Sequence, residues 1–271
     1  MLSSVTLICG FVLFCQTTAR EVPAPLRKPP NSKDLNAWKS HLSALGHYAS
    51  NELFRMMENQ KDQWERKDDV SNDEATAFEL DYKDPHGKYT NFVHRVDVDL
   101  RHCHPAFTYI DFQRHLENIG TWAPTVAEND TKIIQKLGPF TRLIIQRVRV
   151  DTAGFSVDVP MQYFIPVEHT RIDKNQKSYY IGMIDSGFPA QVPSHWHQNS
   201  YLGHYGPSGL VIKPHPENSK WSRVSWVNNV KPTGVNIPDV LKRLFTRANM
   251  VQYMQAYKRH MEKLCKKISS T

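Results

Sequence analysis

IPDVLKRLFTRANMVQYMQAYKRHMEKLCKKI, residues 237–268, decides the fold. Pro238 sits in the first turn, where its missing N–H costs nothing. Ile237, Leu241, Leu244, Ala248, Val251, Met254, Met261, Leu264 and Ile268 recur at helical spacing over roughly eight turns. A stripe of that length needs an equally long apolar partner, and one face of a curved sheet supplies it.

The chain before this helix provides such a sheet. TKIIQKL (131–137), TRLIIQRVRV (141–150), MQYFIPVEHTRI (161–172), KSYYIGMIDS (177–186), SYLGHYGPSGLVIKP (200–214) and WSRVSWVNNV (221–230) are β-rich runs with turn signals between them. Short strands that follow one another without helices predict antiparallel pairing. Upstream, TAFELDY (76–82) and YTNFVHRVDVDL (89–100) flank Asp84-Pro85-His86-Gly87, a turn that makes them a hairpin. Phe92, His94, Val96, Val98 and Leu100 share one face of its second strand. His104-Pro105 opens a helix carrying Phe107, Ile110, Leu116 and Ile119 to a stop at Gly120. A first helix runs from Leu35 through Trp38, Leu42, Leu45 and Tyr48 to Leu53, Phe54 and Met57. The order predicts an α+β fold: one domain, an antiparallel sheet curled around the last helix. Either side chains fill the enclosed space or a ligand does.

Residues 1–19 read differently. VTLICGFVLFC is a short apolar run and TTA supplies small residues before Arg20, so a secretory signal peptide cleaved after Ala19 is expected. The run is short for a membrane anchor, and no other segment is apolar enough to span. Residues 20–34 form a Pro-rich leader, and residues 35–271 the folded domain. No charged side chain precedes Arg20, so the mature chain keeps the net charge of +7. Cys103 and Cys265 then remain, either as one disulfide or as two buried thiols. Asn129-Asp130-Thr131 is the single N-x-S/T sequon, which suits a secreted glycoprotein.

Two His-x-His pairs, His102 with His104 and His195 with His197, invite a metal reading, since residues i and i+2 of a strand face one side. Both fall in connections, however, and no third ligand closes a site, so no metal is expected. Ser208 in GPSGL lacks the last glycine of a nucleophile elbow, because Leu210 stands there. Neither a Walker loop nor a dinucleotide fingerprint occurs, so no nucleotide cofactor is expected. The positive charge sits largely on the last helix, at Lys242, Arg243, Arg247, Lys258, Arg259, Lys263, Lys266 and Lys267. Either these residues dock the helix on an anionic membrane or they solvate its outer face. Nucleic acid is a poor match for a secreted chain without a binding motif for it.

HLENIGTWAPTV (115–126) followed by IIQKLG (133–138) resembles the START lipid-transfer domain, as do YLGHYGPSGLVIKP (201–214) and SRVSWVNNVKPTGVNIPDVL (222–241). The likeness extends from about residue 35 to 268, in the family's element order. It implies a helix-grip fold of about nine antiparallel strands around the C-terminal helix, enclosing a tunnel for one lipid. That helix and the loop DTAGFSVDVPM (151–161) would form the gate. The family's tunnel carboxylate falls on Glu128 and its arginine on Gln162, so the ion pair cannot form and a buried Glu128 is either desolvated or protonated. Sterol specificity is therefore not implied. If Glu128 points inward, Asn129 points outward. The resemblance implies a monomeric carrier without enzymatic activity, secreted or lumenal, with transient membrane contact. Glu128, Gln162, Phe164, His204, Leu241, Leu244, Phe245 and Ala248 are its expected lipid-contacting residues, and Lys242, Arg243 and Arg247 its membrane-docking ones. An enzyme on a related scaffold and a closed interaction module are the alternatives.

Overall fold

Asp34 caps the first helix, its carboxylate accepting from the Asn36 N–H at 3.0 Å. The structure, a computed structural model, describes residues 29–82, 92–126, 129–149, 160–196, 200–231, 233–234 and 238–269. Helix α1 (Leu35–Phe54) ends in a π-helical turn at Arg55–Asn59 and leads to β1 (Glu65–Arg66), β2 (Thr76–Asp81) and β3 (Phe92–Leu100). His104 Nδ1 accepts from the Ala106 N–H at 3.2 Å, and α2 (Pro105–His115) follows, tightening into a 3-10 turn at Leu116–Thr121. The long strand series is β4 (Thr131–Lys136), β5 (Thr141–Val148), β6 (Met161–Phe164), β7 (Pro166–Asp173), β8 (Ser178–Asp185), β9 (Ser200–Leu202), β10 (His204–Tyr205), β11 (Ser208–Pro214), β12 (Ser222–Asn228) and β13 (Val230–Lys231). Helix α3 (Asp239–Ser269) ends it.

The large sheet runs β1-β2-β3-β12-β11-β8-β7-β5-β6-β9, with β4 on β5 and a separate β10-β13 pair. Every pairing is antiparallel except β6 with β9. Several segments are one bent strand interrupted by one or two residues: β6 with β7, β9 through β11, and β12 with β13. Read as continuous runs they make the expected nine.

Period-two alternation sends the two faces of this sheet to different helices. Val96, Val98 and Leu100, with Leu210, Ile212, Val224, Ile181 and Met183, point inward and pack with residues of α2 and α3. Leu143, Ile145, Val167 and Ile184 point outward beneath Trp38, Leu42, Leu45 and Ala49 of α1. Each side chain so removed from water contributes about 1.5–3 kcal/mol. Helix α1 lies on β8 so closely that a Cβ on Gly182 would stand 2.2 Å from the Ser50 nitrogen. Only glycine admits that approach.

Cys103, just before α2, and Cys265, near the end of α3, form a disulfide with Cα atoms 5.5 Å apart. Of the two cysteine readings open from the sequence, the paired one holds. Residues 1–28, the hairpin turn at 84–87, Glu128, the loop residues 151–159, His197 and Ile237 lie outside the described residues. No described helix is long and apolar enough to cross a membrane.

Candidate functional site

Below Met254, α3 is packed solid: Met254, Tyr257, Met261 and Cys265 are buried in the inner core. Above it the packing stops. Lys242, Phe245, Thr246, Asn249, Met250 and Tyr253 instead line a cavity whose other walls are β5, β6, β12, Tyr205, Val230 and the end of α2. Phe112, Leu116, Ile119, Val126, Ile144, Met183 and Phe164 make most of that wall apolar. Centres of water-sized molecules can occupy about 150 Å³ of the cavity, where one buried water needs only ~10–15 Å³. The empty space between the walls, mouth included, is about 1160 Å³.

Gln162 and Phe164 reach the cavity because even-numbered residues of β6 point inward, as Ile144, Gln146 and Val148 do on β5. Phe164 packs against the Tyr205 ring at 4.4 Å. Gln162, where the family's arginine would stand, is fully engaged. Its Nε2 donates to the Thr233 carbonyl at 3.1 Å and the Pro160 carbonyl at 3.2 Å, and its Oε1 accepts from the Thr233 N–H at 3.1 Å.

Three expected contacts on α3 stand elsewhere. Leu241, Leu244 and Ala248 are half-buried and do not line the cavity, whereas Phe245 does. Their apolar stripe suggested the inner face, but the helix is enclosed on several sides and presents its mixed face, with Thr246 and Asn249, to the cavity. His204 does not line it either. Its ring pairs with Asp185 at 2.7 Å and is 43% exposed. The strand bends at Gly203, where a Cβ would meet the Phe164 ring at 2.2 Å, so the alternation read straight through 201–205 does not continue.

The three expected docking cations are likewise spread. Arg247 is only 14% exposed and bonds Glu79 at 3.1 Å and Asp69 at 2.9 Å. Arg243 stacks on the Phe92 ring at 3.2 Å. Lys242 borders the cavity and pairs with Asp239 at 3.0 Å. Beneath them His94 is buried, and desolvation with the Arg247, Arg243 and Lys67 charges pushes its pKa down to about 3. Glu79 lies 3.4 Å from its ring but is already held by Arg247. Asn129 is exposed in a left-handed turn before β4, while Asp130 of the sequon is buried in a two-point pair with Arg147. Among the described residues no three His, Cys, Asp or Glu side chains gather as a metal would need.

Among the cavity-bordering residues missed from sequence are Tyr205 and Tyr253, along with Trp226, Thr246, Asn249 and Met250. Tyr205 carried a signal: it sits on the face opposite His204 in the alternation.

A two-faced sheet, one helix gripped inside it and an apolar cavity under that helix define a ligand-enclosing α+β domain. The START domain model matches residues 47–267, and the chain belongs to that family. Among solved structures, the human StAR-related lipid transfer protein 5 superposes with a TM-score of 0.65 at 10% identity, over 85% of this chain and 99% of that one. Human STARD10 superposes with a TM-score of 0.60 at 16% identity, over 92% and 86%. The lipid transfer and protein localization domain of human StarD13 gives 0.52 at 12%, over 74% and 94%. These likenesses confirm the helix-grip fold. None of the curated proteins compared by sequence matches.

Proposed function

We propose that this chain is a secreted or lumenal carrier that encloses one lipid in the cavity beneath α3, without catalysing a reaction. The observation that carries this reading is the apolar cavity itself, bordered by the first half of α3 and by no carboxylate among the described residues. Apolar surface leaving water there gains ~25 cal/mol per Å². The disulfide supports residence in an oxidising compartment. An exposed Asn129 is a suitable glycan acceptor.

Release follows from opening at the end where the cavity lies. Exposed Tyr201 and Leu202 lie beside Gly234 and Thr233, and exposed Val240 stands with Lys242 in the first turn of α3. Apolar side chains flanked by lysines suit the interface of an anionic leaflet. Arg243 and Arg247, held in their own contacts, do not take part.

The test is the protein recovered from its natural secretory route, extracted, and its lipid identified by mass spectrometry. A consistent lipid at one per chain is expected. An empty cavity favours an interaction module, and a chemically altered lipid favours an enzyme.

A further inference from the structure

Several polar side chains in the cavity wall are already occupied. Gln162 is bonded on both edges to the backbone, Gln146 Nε2 donates to Thr131 Oγ1 at 3.0 Å, Thr246 Oγ1 donates to the Lys242 carbonyl at 2.8 Å, and Asn249 Nδ2 to the Phe245 carbonyl at 2.7 Å. Tyr205 and Tyr253 differ. Both border the cavity, and no side-chain hydrogen bond acts on either hydroxyl among the described residues. Asn228 Oδ1, in the same wall, is buried without a partner.

Both rings are fixed. Tyr205 is 6% exposed and packs on Phe164, while Tyr253 is wedged between Trp122 at 5.3 Å and Trp226 at 5.4 Å. Their hydroxyls therefore sit in set positions, ready to bond without further loss of rotamer freedom. Burial pushes both far above the ordinary tyrosine range, and for Tyr253 the neighbouring Tyr205 adds to it. They stay protonated and act as neutral donors.

Two neutral donors in an apolar wall suit a neutral oxygen. A carboxylate or phosphate placed there would lose its hydration with no cation beside it. The cations of the wall, Arg149 and Lys242, are not at these hydroxyls' disposal: Arg149 is exposed and Lys242 is paired with Asp239.

We propose that Tyr205 and Tyr253 form a polar subsite that selects a lipid whose inward end is an uncharged hydroxyl, rather than a charged headgroup. This rests on the lipid-carrier reading.

The probes are three molecules of equal chain length: 1-dodecanol, dodecanoate and dodecane, delivered from cyclodextrin to the delipidated mature chain. The alcohol is expected to bind roughly five- to tenfold tighter than the alkane for each hydrogen bond it makes. In the Tyr205→Phe/Tyr253→Phe variant that preference disappears while alkane affinity stays unchanged, which reports an intact cavity. A preference that survives the double variant overturns the subsite, as does a preference for dodecanoate that is lost in Lys242→Met. Equal binding of all three overturns the subsite and leaves the carrier reading standing. Binding of none overturns both.

Discussion

Cys103 and Cys265 are bonded across 162 residues of sequence, and the bond fastens the end of α3 farthest from the cavity. The helix that borders the cavity is thus anchored covalently at its far end, while its first half is held by ion pairs such as Arg247 with Glu79 and Asp69.

Closing so long a loop restricts the unfolded chain. Replacing both cysteines by serine is expected to lower stability by about 4–5 kcal/mol. Urea denaturation of the oxidised chain and the double variant measures it, and a difference below about 1 kcal/mol would contradict the assignment.

His94 is neutral in the folded chain, its pKa lowered to about 3 first by desolvation and then by Arg247, Arg243 and Lys67. Unfolded, it titrates near 6.5. Below that pH the unfolded state binds more protons, so stability falls from pH 6.5 toward 3, by about 1 kcal/mol per pH unit. His169, lowered to about 4 by desolvation and then by His47, adds to the same slope. Denaturant midpoints at pH 7 and pH 5 should differ, and His94→Gln should flatten the difference.

Arg142 bonds both carboxylate oxygens of Glu168, at 2.8 and 3.1 Å, and Glu168 is 1% exposed. Arg142→Met leaves that charge buried alone, and a loss of about 3–5 kcal/mol is expected. The double variant Arg142→Met/Glu168→Leu should recover most of it. Equal losses in the single and double variants would show that packing rather than the orphaned charge is at stake.

Thr246 borders the cavity from α3. Thr246→Trp places a large ring in that space, so retained lipid should fall by roughly tenfold or more with the melting temperature little changed. Unaltered lipid content in a folded variant would put the cargo elsewhere.

The order of elements was legible because local rules act without tertiary help: alternation in runs such as HRVDVDL, the His104-Pro105 start, and the long C-terminal helix. The inward face of α3 was not. A helix in solvent reveals its buried side by its apolar stripe, whereas α3 is enclosed, so Leu241 and Leu244 are half-buried away from the cavity while Thr246 and Asn249 face it. Lysine and arginine were likewise read as free surface charge, yet Arg247 finds Glu79 and Asp69, partners 168 and 178 residues away. Pairings at that separation leave no local pattern to read.

The Gln162 amide grips both edges of Thr233, just before α3 begins. Lifting that entry segment must either break two hydrogen bonds, at a net cost of about 1–3 kcal/mol, or drag β6 along with it. In the carrier proposed above, the position would act as a fastener with a set release threshold, one that contact with a membrane would have to exceed before cargo could pass.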